Sequence, residues 1–404
     1  MLLPGSRTAG CNENEESLMT ERDELSHLPL HGVRALVLGA GFGTRLLPLT
    51  RHVPKPVVPM LGRPLIGHPL IHLYAAGCHE AWVNSHHMAN KLAASLDAWV
   101  QRRLQRMRVH YSVEQPTILG TGGALKRLEA ELTPNGSPFL LLNGDSILNM
   151  DLPALWAAHK ARRGGGTVAT LLCIPHPDAK AYGAVRVDAE GRIVDMAGLG
   201  RPPGVTDADV EAATPTVFCG VHVIEPAVLD ILPADGTESG IVRQGYAPLI
   251  NDGVDVRAFM LSPETLFHDV GTPTRYLDAQ SDLMSGRPFL PVPEGVDPQE
   301  AVFQEASYAV DAHGREYGNP DSVQGLSKAT LHPPFFFGPR NELAPGATIG
   351  PNASIGALNV IAAGATVRDS ALWSQVEVGA GERLEGVLAA RLGGERLVVD
   401  GRPA

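Results

Sequence analysis

The stretch that decides the fold is residues 33–69, VRALVLGAGFGTRLLPLTRHVPKPVVPMLGRPLIGHP. It opens with a short apolar run that ends at Leu38, which is typical of a fully buried parallel strand. Gly39, Gly41 and Gly43 then break the run. Glycine lets the backbone approach a ligand closely and turn several amide N–H groups toward one anion. The pattern therefore predicts a strand that leads into a phosphate-binding loop.

The charge of this stretch favours a ligand that carries several phosphates. Residues 33–79 contain no Asp or Glu but several Lys, Arg and His, although the whole chain has a formal net charge of -11. A dinucleotide-binding loop would need an acidic residue about 20 positions further on to hold a ribose. No Gly-Lys-Ser/Thr follows the glycines, so the loop is not a Walker A motif either. We expect a polyanion site of another type.

Length and composition indicate a soluble protein with two domains. The 404 residues exceed one ordinary hydrophobic core. The four cysteines, Cys11, Cys78, Cys173 and Cys219, lie far apart and form no C-x-x-C pair, so we expect free, buried thiols in a reducing cytoplasm. No apolar run reaches the length of a membrane span. Residues 1–31 hold six acidic and two basic residues, which predicts a disordered leader.

Beyond the glycine loop, residues 69–285 alternate strand-like and helix-like segments. This rhythm predicts an α/β fold with a doubly wound, mostly parallel, Rossmann-like sheet, in which ligands bind beyond the carboxyl ends of the strands. Asn84, Glu114 and Asp145 each lie at or directly after the end of a predicted strand. On their own, such residues are more typical of solvated polar loops and helix N-caps than of a binding site.

The glycine loop and the residues after it carry a family resemblance. Gly39-x-Gly41-x-Gly43-Thr44-Arg45, followed by Lys55-Pro56, resembles the G-x-G-T-R…K-P motif of the sugar-1-phosphate nucleotidyltransferases. The segment 114–125 is similar to the base-recognition loop of that family, and most similar to the L-G-T-A-G-A-L form of guanylyltransferases. The resemblance implies these nucleotide-binding residues: Leu38, Gly39, Ala40, Gly41, Gly43, Thr44, Arg45, Glu114, Gln115, Gly120 and Thr121.

The same resemblance implies the catalytic and metal-binding residues. Asp145 ends an Asn-Gly-Asp motif, and Asp269 lies in a segment similar to the family's W-x-D-V-G-T-P. These two carboxylates are the implied ligands of Mg²⁺, which prefers oxygen ligands in octahedral geometry. Arg45, Lys55 and Asp145 are the implied catalytic residues, with Arg45 on the β- and γ-phosphates and Lys55 on the α-phosphate.

For the sugar, the resemblance implies contacts from Asn84, Gly183 and Gly220. Gly183 lies in a Tyr-Gly-Ala-Val run similar to the family's Y-G-V-V strand, and Gly220 lies in a buried strand predicted over residues 216–224. The E-K-P motif that often follows in the family is absent, because residues 193–198 are Ile-Val-Asp-Met-Ala-Gly. This departure leaves the identity of the sugar open.

The C-terminal part of the chain has a six-residue period. We predict a catalytic domain over residues 32–285, a linker over 286–330, a short left-handed parallel β-helix over 331–392 and a tail over 393–404. Within the β-helix, apolar residues recur at Leu331, Phe337, Leu343, Ile349, Ile355, Ile361, Val367 and Trp373. This hexapeptide repeat places one apolar residue on each side of a triangular core. We expect fewer than three coils, with a residue lost near Val378, and a role in assembly or regulation rather than acyl transfer.

The predicted function is transfer of a nucleotidyl group from an NTP to a hexose 1-phosphate, with release of pyrophosphate. The segment 114–125, here called the second loop, and the hexapeptide repeat favour GTP and mannose 1-phosphate. The segment 83–87 and the missing E-K-P favour instead a UTP-dependent enzyme for an N-acetylated amino sugar. A catalytically silent regulatory subunit of the same fold is a further alternative. The expected partners are small-molecule substrates within a homo-oligomer in the cytoplasm, with no nucleic acid and no membrane.

Overall fold

The computed structural model describes residues 27–176, 179–287 and 298–402, with only the backbone at 181, 182, 298 and 299. Four parts of the predicted domain scheme lie outside these ranges: residues 1–26 of the leader, 177–178 of the catalytic domain, 288–297 of the linker and 403–404 of the tail. The described residues form a large α/β sheet domain and a β-helix.

The sheet domain contains thirteen of the described strands. They are β1 Arg34–Leu38, β2 Pro59–Met60, β3 Arg63–Pro64, β4 Glu80–Ser85, β5 Arg108–Val113, β6 Phe139–Asn143, β7 Ser146–Leu148, β8 Ala169–Pro175, β9 Val185–Val187, β10 Ile193–Met196, β11 Thr214–Ile224, β12 Val256–Met260 and β13 Phe267–Asp269. The later strands are β14 Tyr308–Val310, β15 Glu316–Gly318, β16 Thr330–Leu331, β17 Phe335–Phe337, β18 Glu342–Leu343, β19 Thr348–Ile349, β20 Ala353–Ile355, β21 Val360–Ile361, β22 Thr366–Arg368, β23 Ala371–Leu372, β24 Glu377–Val378, β25 Arg383–Glu385, β26 Val387–Leu392 and β27 Glu395–Asp400.

Helices connect these strands. The α-helices are α1 Gly67–Ala75, α2 Ala89–Arg103, α3 Gly120–Arg127, α4 Glu129–Leu132, α5 Leu152–Arg163, α6 Asp207–Ala212, α7 Ala227–Asp230, α8 Ala247–Asn251, α9 Pro273–Met284 and α10 Pro298–Val302. A π-helical turn, Ile241–Tyr246, precedes α8. In the described part of the chain, no helix has both the length and the apolar character that crossing a membrane requires.

The central sheet has the strand order β10-β9-β11-β6-β1-β4-β5, with β8 and β12 joined to it through β11. The four strands β6, β1, β4 and β5 pair in parallel, so their carboxyl ends lie at one edge. Helices α1, α2 and α5 pack on one face of the sheet, and α3, α4 and α7 pack on the other. The prediction of an α/β fold with helices on both faces of the sheet is confirmed, and the sheet is mixed, because β11 pairs antiparallel with β6, β8 and β9.

The C-terminal strands stack in parallel into a three-sided β-helix, as the six-residue period predicts. Thr330 pairs with Thr348, and Thr348 with Thr366, so that a coil takes 18 residues. Over residues 330–392, two faces of the β-helix hold four stacked strands and the third holds three. The β-helix therefore has nearly four coils, and the expectation of fewer than three is wrong.

The shortened coil also differs from the prediction. Ile355 pairs with Leu372, 17 residues later, so the chain loses its residue between Val367 and Leu372 rather than near Val378. Leu372 consequently points into the core of the β-helix. Trp373, which the six-residue period placed inside, packs instead in a separate cluster with the sheet domain.

That cluster joins the β-helix to the sheet domain. Tyr276, Ala279 and Leu283 of α9 pack in it, together with residues 49–65 of the proline-rich segment. The β-helix contributes the side chains of Phe336, Ala371, Trp373, Leu388 and Ala390. Polar contacts continue the junction, since Gln280 donates through Nε2 to the backbone oxygen of Ser370 at 3.2 Å. The β-helix is thus packed against the sheet domain and is not a loosely appended module.

The predicted linker and tail also contain regular structure. Within residues 298–330, α10 is followed by β14, and β14 pairs antiparallel with β17 of the β-helix. Glu305 accepts hydrogen bonds from the Trp99 indole at 3.0 Å and from the Arg103 guanidinium at 2.9 Å. In the predicted tail, β27 pairs antiparallel with β26. The described parts of both segments therefore pack as structural elements.

Two neighbouring phenylalanines test this junction. Phe336 lies in the shared cluster and Phe337 lies inside the β-helix, and both are fully buried. Replacing either by Ala is expected to cost about 3–5 kcal/mol in the free energy of unfolding, because a large cavity is left. Phe336→Ala should raise amide hydrogen exchange in residues 46–66 and 273–284, whereas Phe337→Ala should raise it mainly in 331–392. Equal exchange patterns in the two variants would contradict the shared cluster.

Candidate active site

The carboxyl ends of β6, β1 and β4, with residues 118–121 that follow β5, surround a cavity of about 260 Å³. It lies where ligands bind on parallel sheets, beyond the ends of neighbouring strands. The cavity is lined by Leu38, Gly39, Ala40, Gly41, Lys55, Pro56, Asn84, Ile118, Gly120, Thr121, Asn143 and Asp145. Nine of these residues are among those that the family resemblance implied, so distant parts of the sequence meet here.

The three glycines of the glycine loop differ in the space that a side chain would have at each position. A Cβ on Gly39 would lie 2.8 Å from the backbone oxygen of Asn84. Gly43 has a φ of 64°, and a Cβ there would lie 2.9 Å from Cβ of Lys55. A Cβ on Gly41 would meet no atom within 4 Å. Packing of the chain therefore explains Gly39 and Gly43, while the space at Gly41 remains open toward the cavity.

Lys55 is held from several sides and forms an ion pair with Asp145. It begins a short 3₁₀ turn, Lys55–Val57, and the flanking Pro54 and Pro56 restrict the backbone there. The lysine is 7% exposed, and its Nζ lies 2.5 Å from Oδ2 of Asp145. The nearly buried ammonium group of Lys55 thus contacts a carboxylate that lines the cavity.

Asp269 lies next to Asp145 on a neighbouring strand. In the β13–β7 pair, Asp269 is opposite Ser146, and the N–H of Val270 donates to the backbone oxygen of Asp145 at 3.2 Å. Oδ2 of Asp269 lies 3.0 Å from NH1 of Arg275. Asp269 thus ends β13 beside the start of β7, and Asp145 directly precedes β7.

Two arginines lie beside Asp269. Arg45 Nη2 is 3.9 Å from its Oδ2, and the guanidinium packs over Gly271, where a Cβ would lie 2.7 Å from it. Arg45 is exposed and does not line the cavity. Sequence reasoning missed Arg275; its position just after the Gly-Thr-Pro of the second aspartate motif is the signal that was available.

The residues at this edge fit a divalent cation. Asp145, just before β7, and Asp269, at the end of β13, offer carboxylate oxygens, and Mg²⁺ typically takes one or two carboxylates and completes its shell with substrate phosphates and water. Among the residues that the structure describes, no cluster of three or more His, Cys, Asp or Glu side chains is placed to hold a metal. The donor set therefore suits a cation that arrives with a phosphate ligand.

The second loop packs against residues 239–241. The N–H of Gly122 donates to the Ser239 oxygen at 2.8 Å, and the Ser239 N–H donates to the Leu119 oxygen at 2.9 Å. A Cβ on Gly120 would lie 2.6 Å from that same Ser239 oxygen. Gly120 is thus required for packing of the loop, apart from any approach to a base. Thr121 lines the cavity and accepts a hydrogen bond from the Ile241 N–H at 2.9 Å.

The residues predicted to contact a sugar are placed differently from one another. Asn84 is 2% exposed but lines the cavity. Gly220 does not line it, because the side chain of Asn143 covers this glycine: a Cβ there would lie 2.2 Å from Nδ2 of Asn143. Gly183 also lies outside the lining residues. Asn143 is therefore a site residue that sequence reasoning missed, although it belongs to the Asn-Gly-Asp motif.

Several other predicted residues stand apart from the cavity wall. Those that do not line it are Gly43, Thr44, Arg45, Glu114, Gln115, Gly183, Gly220 and Asp269. Glu114 is fully buried behind the wall, and Gln115 is exposed. Pro56 and Ile118 line the cavity in addition to the predicted set.

His222 of β11 is buried and uncharged near neutral pH. Burial lowers the pKa of His222 to about 3, so its imidazole is neutral. Its Nδ1 lies 2.7 Å from the hydroxyl of Tyr246. This pair is part of the packing between β11 and the π-helical turn.

Comparison with known sequences shows the family. The profile of the family described as nucleotidyl transferase matches residues 34–286, which is more than half of the chain. The chain belongs to the nucleotidyl transferase family. The matched range includes both loops, Lys55 and both aspartates. The resemblance carried by the sequence motifs is thereby confirmed.

Individual members of the nucleotidyl transferase family are similar over most of the chain. A mannose-1-phosphate guanylyltransferase of Mycobacterium tuberculosis is 28% identical over 282 residues, which cover 70% of this chain and 73% of the relative. A UTP–glucose-1-phosphate uridylyltransferase of Synechocystis is 26% identical over 334 residues, covering 78% and 81%. A mannose-1-phosphate guanyltransferase of Eremothecium gossypii is 30% identical over 247 residues, covering 61% and 63%. This nucleotidyl transferase is an enzyme that transfers a nucleotidyl group.

Gly41 distinguishes a ligand-binding loop from a structural turn. Because a Cβ at this position meets nothing in the chain, Gly41→Ala should fold with an unchanged unfolding temperature. If a phosphate approaches the loop backbone, the same methyl group should weaken nucleotide binding by about tenfold or more, a loss of about 1.4 kcal/mol. Isothermal titration calorimetry with a nucleotide measures this loss of affinity. Gly39→Ala is the contrasting variant, since its Cβ clashes within the chain and should lower stability. Normal nucleotide affinity in Gly41→Ala would contradict the phosphate-binding role.

Proposed function

We propose that this enzyme is a sugar-1-phosphate nucleotidyltransferase that converts an NTP and a hexose 1-phosphate into an NDP-sugar and pyrophosphate. The observation that carries the proposal is a group of charged side chains near the glycine loop: the Lys55–Asp145 ion pair, and Asp269 of β13 with the two arginines beside it. Phosphoryl-type transfer needs mainly positioning and charge stabilisation, and this group offers both. All four residues that the motifs assign to catalysis and metal binding are present, which disfavours a silent subunit.

The glycine loop and Arg45 would bind the leaving part of the nucleotide. Ala40 and Gly41 line the cavity and present backbone to it, while Arg45 stands exposed at the outer edge beside Asp269. N–H groups and a guanidinium together suit the β- and γ-phosphates. As the acceptor phosphate oxygen attacks the α-phosphorus in line, the bond to the β-phosphate oxygen breaks and pyrophosphate leaves with its charge compensated.

Lys55 would stabilise the charge at the α-phosphate. Its ammonium group is nearly buried and fixed by the proline-flanked turn, so little reorganisation accompanies the reaction. Asp145 and Asp269 would hold Mg²⁺, which when bound neutralises phosphate charge and orients the two substrates. No residue has to form a covalent bond or accept a proton, because the attacking oxygen is already an anion.

For the base and sugar, we propose GTP and mannose 1-phosphate. The segment Leu119–Leu125 resembles the guanylyltransferase loop, and two of the relatives named above act on mannose 1-phosphate. The uridylyltransferase relative and the missing E-K-P favour the alternative, UTP with glucose 1-phosphate or an N-acetylated sugar phosphate. We also propose a cytoplasmic location and a homo-oligomer.

A substrate panel tests the function. Pyrophosphate release is measured from purified full-length protein with Mg²⁺, across four NTPs and a set of hexose 1-phosphates that includes mannose, glucose and N-acetylglucosamine 1-phosphate. We expect the highest kcat/KM with GTP and mannose 1-phosphate, because a site that binds one base leaves buried polar groups unpaired with another. A preference for UTP would overturn the guanylyl assignment, and no release with any pair would overturn the proposed reaction.

The two aspartates test the metal site. Asp269→Asn is expected to lower Mg²⁺-dependent kcat by at least about a hundredfold, because one metal ligand contributes several kcal/mol to the transition state. Asp145→Asn should do the same but also lower the unfolding temperature, since it leaves the nearly buried Lys55 without its carboxylate. Steady-state kinetics over a range of Mg²⁺ concentrations and thermal unfolding measure both effects. Asp278→Asn, on the exposed side of α9, is the control. Near-normal turnover in Asp269→Asn would exclude the proposed ligand.

A further inference from the structure

Asn84 and Glu114 connect the two loops that line the cavity. Gly39 donates its backbone N–H to Oδ1 of Asn84 at 2.7 Å. Nδ2 of Asn84 donates to Oε1 of Glu114 at 2.7 Å, and the N–H of Leu119 donates to Oε2 of Glu114 at 2.7 Å. These three hydrogen bonds, here called the Asn84–Glu114 bridge, join the start of the glycine loop to the start of the second loop.

At each contact of the bridge, the chemistry of the two groups decides which atom donates the hydrogen bond and which accepts it. The N–H of Gly39 needs an acceptor, so the amide oxygen of Asn84 faces it and the amide nitrogen faces Glu114. Glu114 then meets a donor at each carboxylate oxygen. One amide and one carboxylate at positions 84 and 114, in either order, satisfy all three contacts, whereas two amides make a donor face a donor and two carboxylates make an acceptor face an acceptor.

The backbone around Glu114 holds the bridge in place. The N–H of Glu114 donates to the Ser85 oxygen at 2.7 Å. The Glu114 backbone oxygen lies 2.7 Å from Nδ1 of His86, which must be the donor because a carbonyl only accepts. The carboxyl ends of β4 and β5 are thus joined next to the cavity, which restricts the movement of the bridge side chains.

Stability alone is a poor reason for this arrangement. Glu114 is 0% exposed, and within the described ranges no Lys, Arg or His side chain pairs with its carboxylate. Burying such a group is costly, and apolar side chains of similar volume would fill the space at no such cost. A buried polar network that is fully satisfied does, however, fix one geometry.

We propose that Asn84 and Glu114 are positioning residues that set the distance between the phosphate-binding loop and the base-binding loop. The inference rests on the proposed function. Because the bridge uses the N–H of Gly39, the phosphates have to bind N–H groups further along the loop, at Ala40 and Gly41. The base and the phosphates belong to one ligand, so the separation of the loops must match it. A displacement of about 1 Å can cost a hundredfold in rate.

Single substitutions break the polarity of the bridge. In Glu114→Gln, an amide N–H₂ has to face either Asn84 Nδ2 or the Leu119 N–H, and turning Asn84 over only moves the conflict to Gly39. In Asn84→Asp, two carboxylates face each other. For either variant we expect the KM for the NTP to rise and kcat to fall, each by about 10- to 100-fold. The KM for the sugar 1-phosphate should change by less than about twofold.

The double variant Asn84→Asp with Glu114→Gln should restore the bridge. The carboxylate at position 84 can accept from the Gly39 N–H and from the amide at position 114, whose oxygen accepts from the Leu119 N–H. We expect its NTP KM to return to within about threefold of the wild-type value. Glu129→Gln removes one negative charge from an ion pair with Lys126 outside the site and is the control for charge alone.

The outcomes separate this inference from the proposed function. Wild-type kinetics in both single variants, or a double variant no better than the worse single variant, would overturn the positioning role even if the singles fold poorly. An equal rise in both substrate KM values would also overturn it, because that indicates general loss of structure. If the wild-type protein releases no pyrophosphate with any substrate pair, the proposed function fails; direct nucleotide titration of the same variants then tests the bridge, and unchanged affinities would overturn it.

Discussion

Parallel pairing of β6, β1, β4 and β5 is the constraint on which the rest of the site depends. Because the four strands run the same way, their carboxyl ends deliver Asn143, Leu38, Asn84 and Glu114 to one edge of the sheet. The chain must leave that edge through loops, and these loops form the cavity. Residues up to about 100 positions apart are thus brought together by backbone pairing alone.

The β-helix packs against segments of the sheet domain that carry residues of the site. Its outward side chains, including Phe336 and Trp373, pack on residues 49–65, the segment that carries Lys55. Two other members of this cluster are sequence neighbours of site residues, since Val270 directly follows Asp269 and Tyr276 directly follows Arg275. Lys55 and Asp269 therefore lie on segments that also pack against the β-helix. Removing that domain would uncover apolar surface directly under the site, which argues against treating the two parts as independent.

The sequence predicted local features well and contacts between distant segments poorly. The apolar run before Gly39 and the strand before Asp145 could be predicted, because both depend on patterns within a few residues. Contact between Asn143 and Gly220 could not, because no local pattern links them. The coil shortened before Leu372 was missed for another reason: Ala371, Leu372 and Trp373 are consecutive apolar residues, and the period alone does not decide which of them points inward.

The pairing of charges at the site gives a physical reason for a divalent cation. Lys55 pairs with Asp145, and Arg275 and Arg45 lie beside Asp269, so three cations face two carboxylates. This leaves a single positive charge in excess, while a nucleoside triphosphate and a sugar phosphate bring several negative charges. Coulomb repulsion opposes the binding of these phosphates next to one another. We propose that the carboxylates that balance the lysine and arginines when no substrate is present also hold the cation, in which case substrate binding and cation binding are coupled.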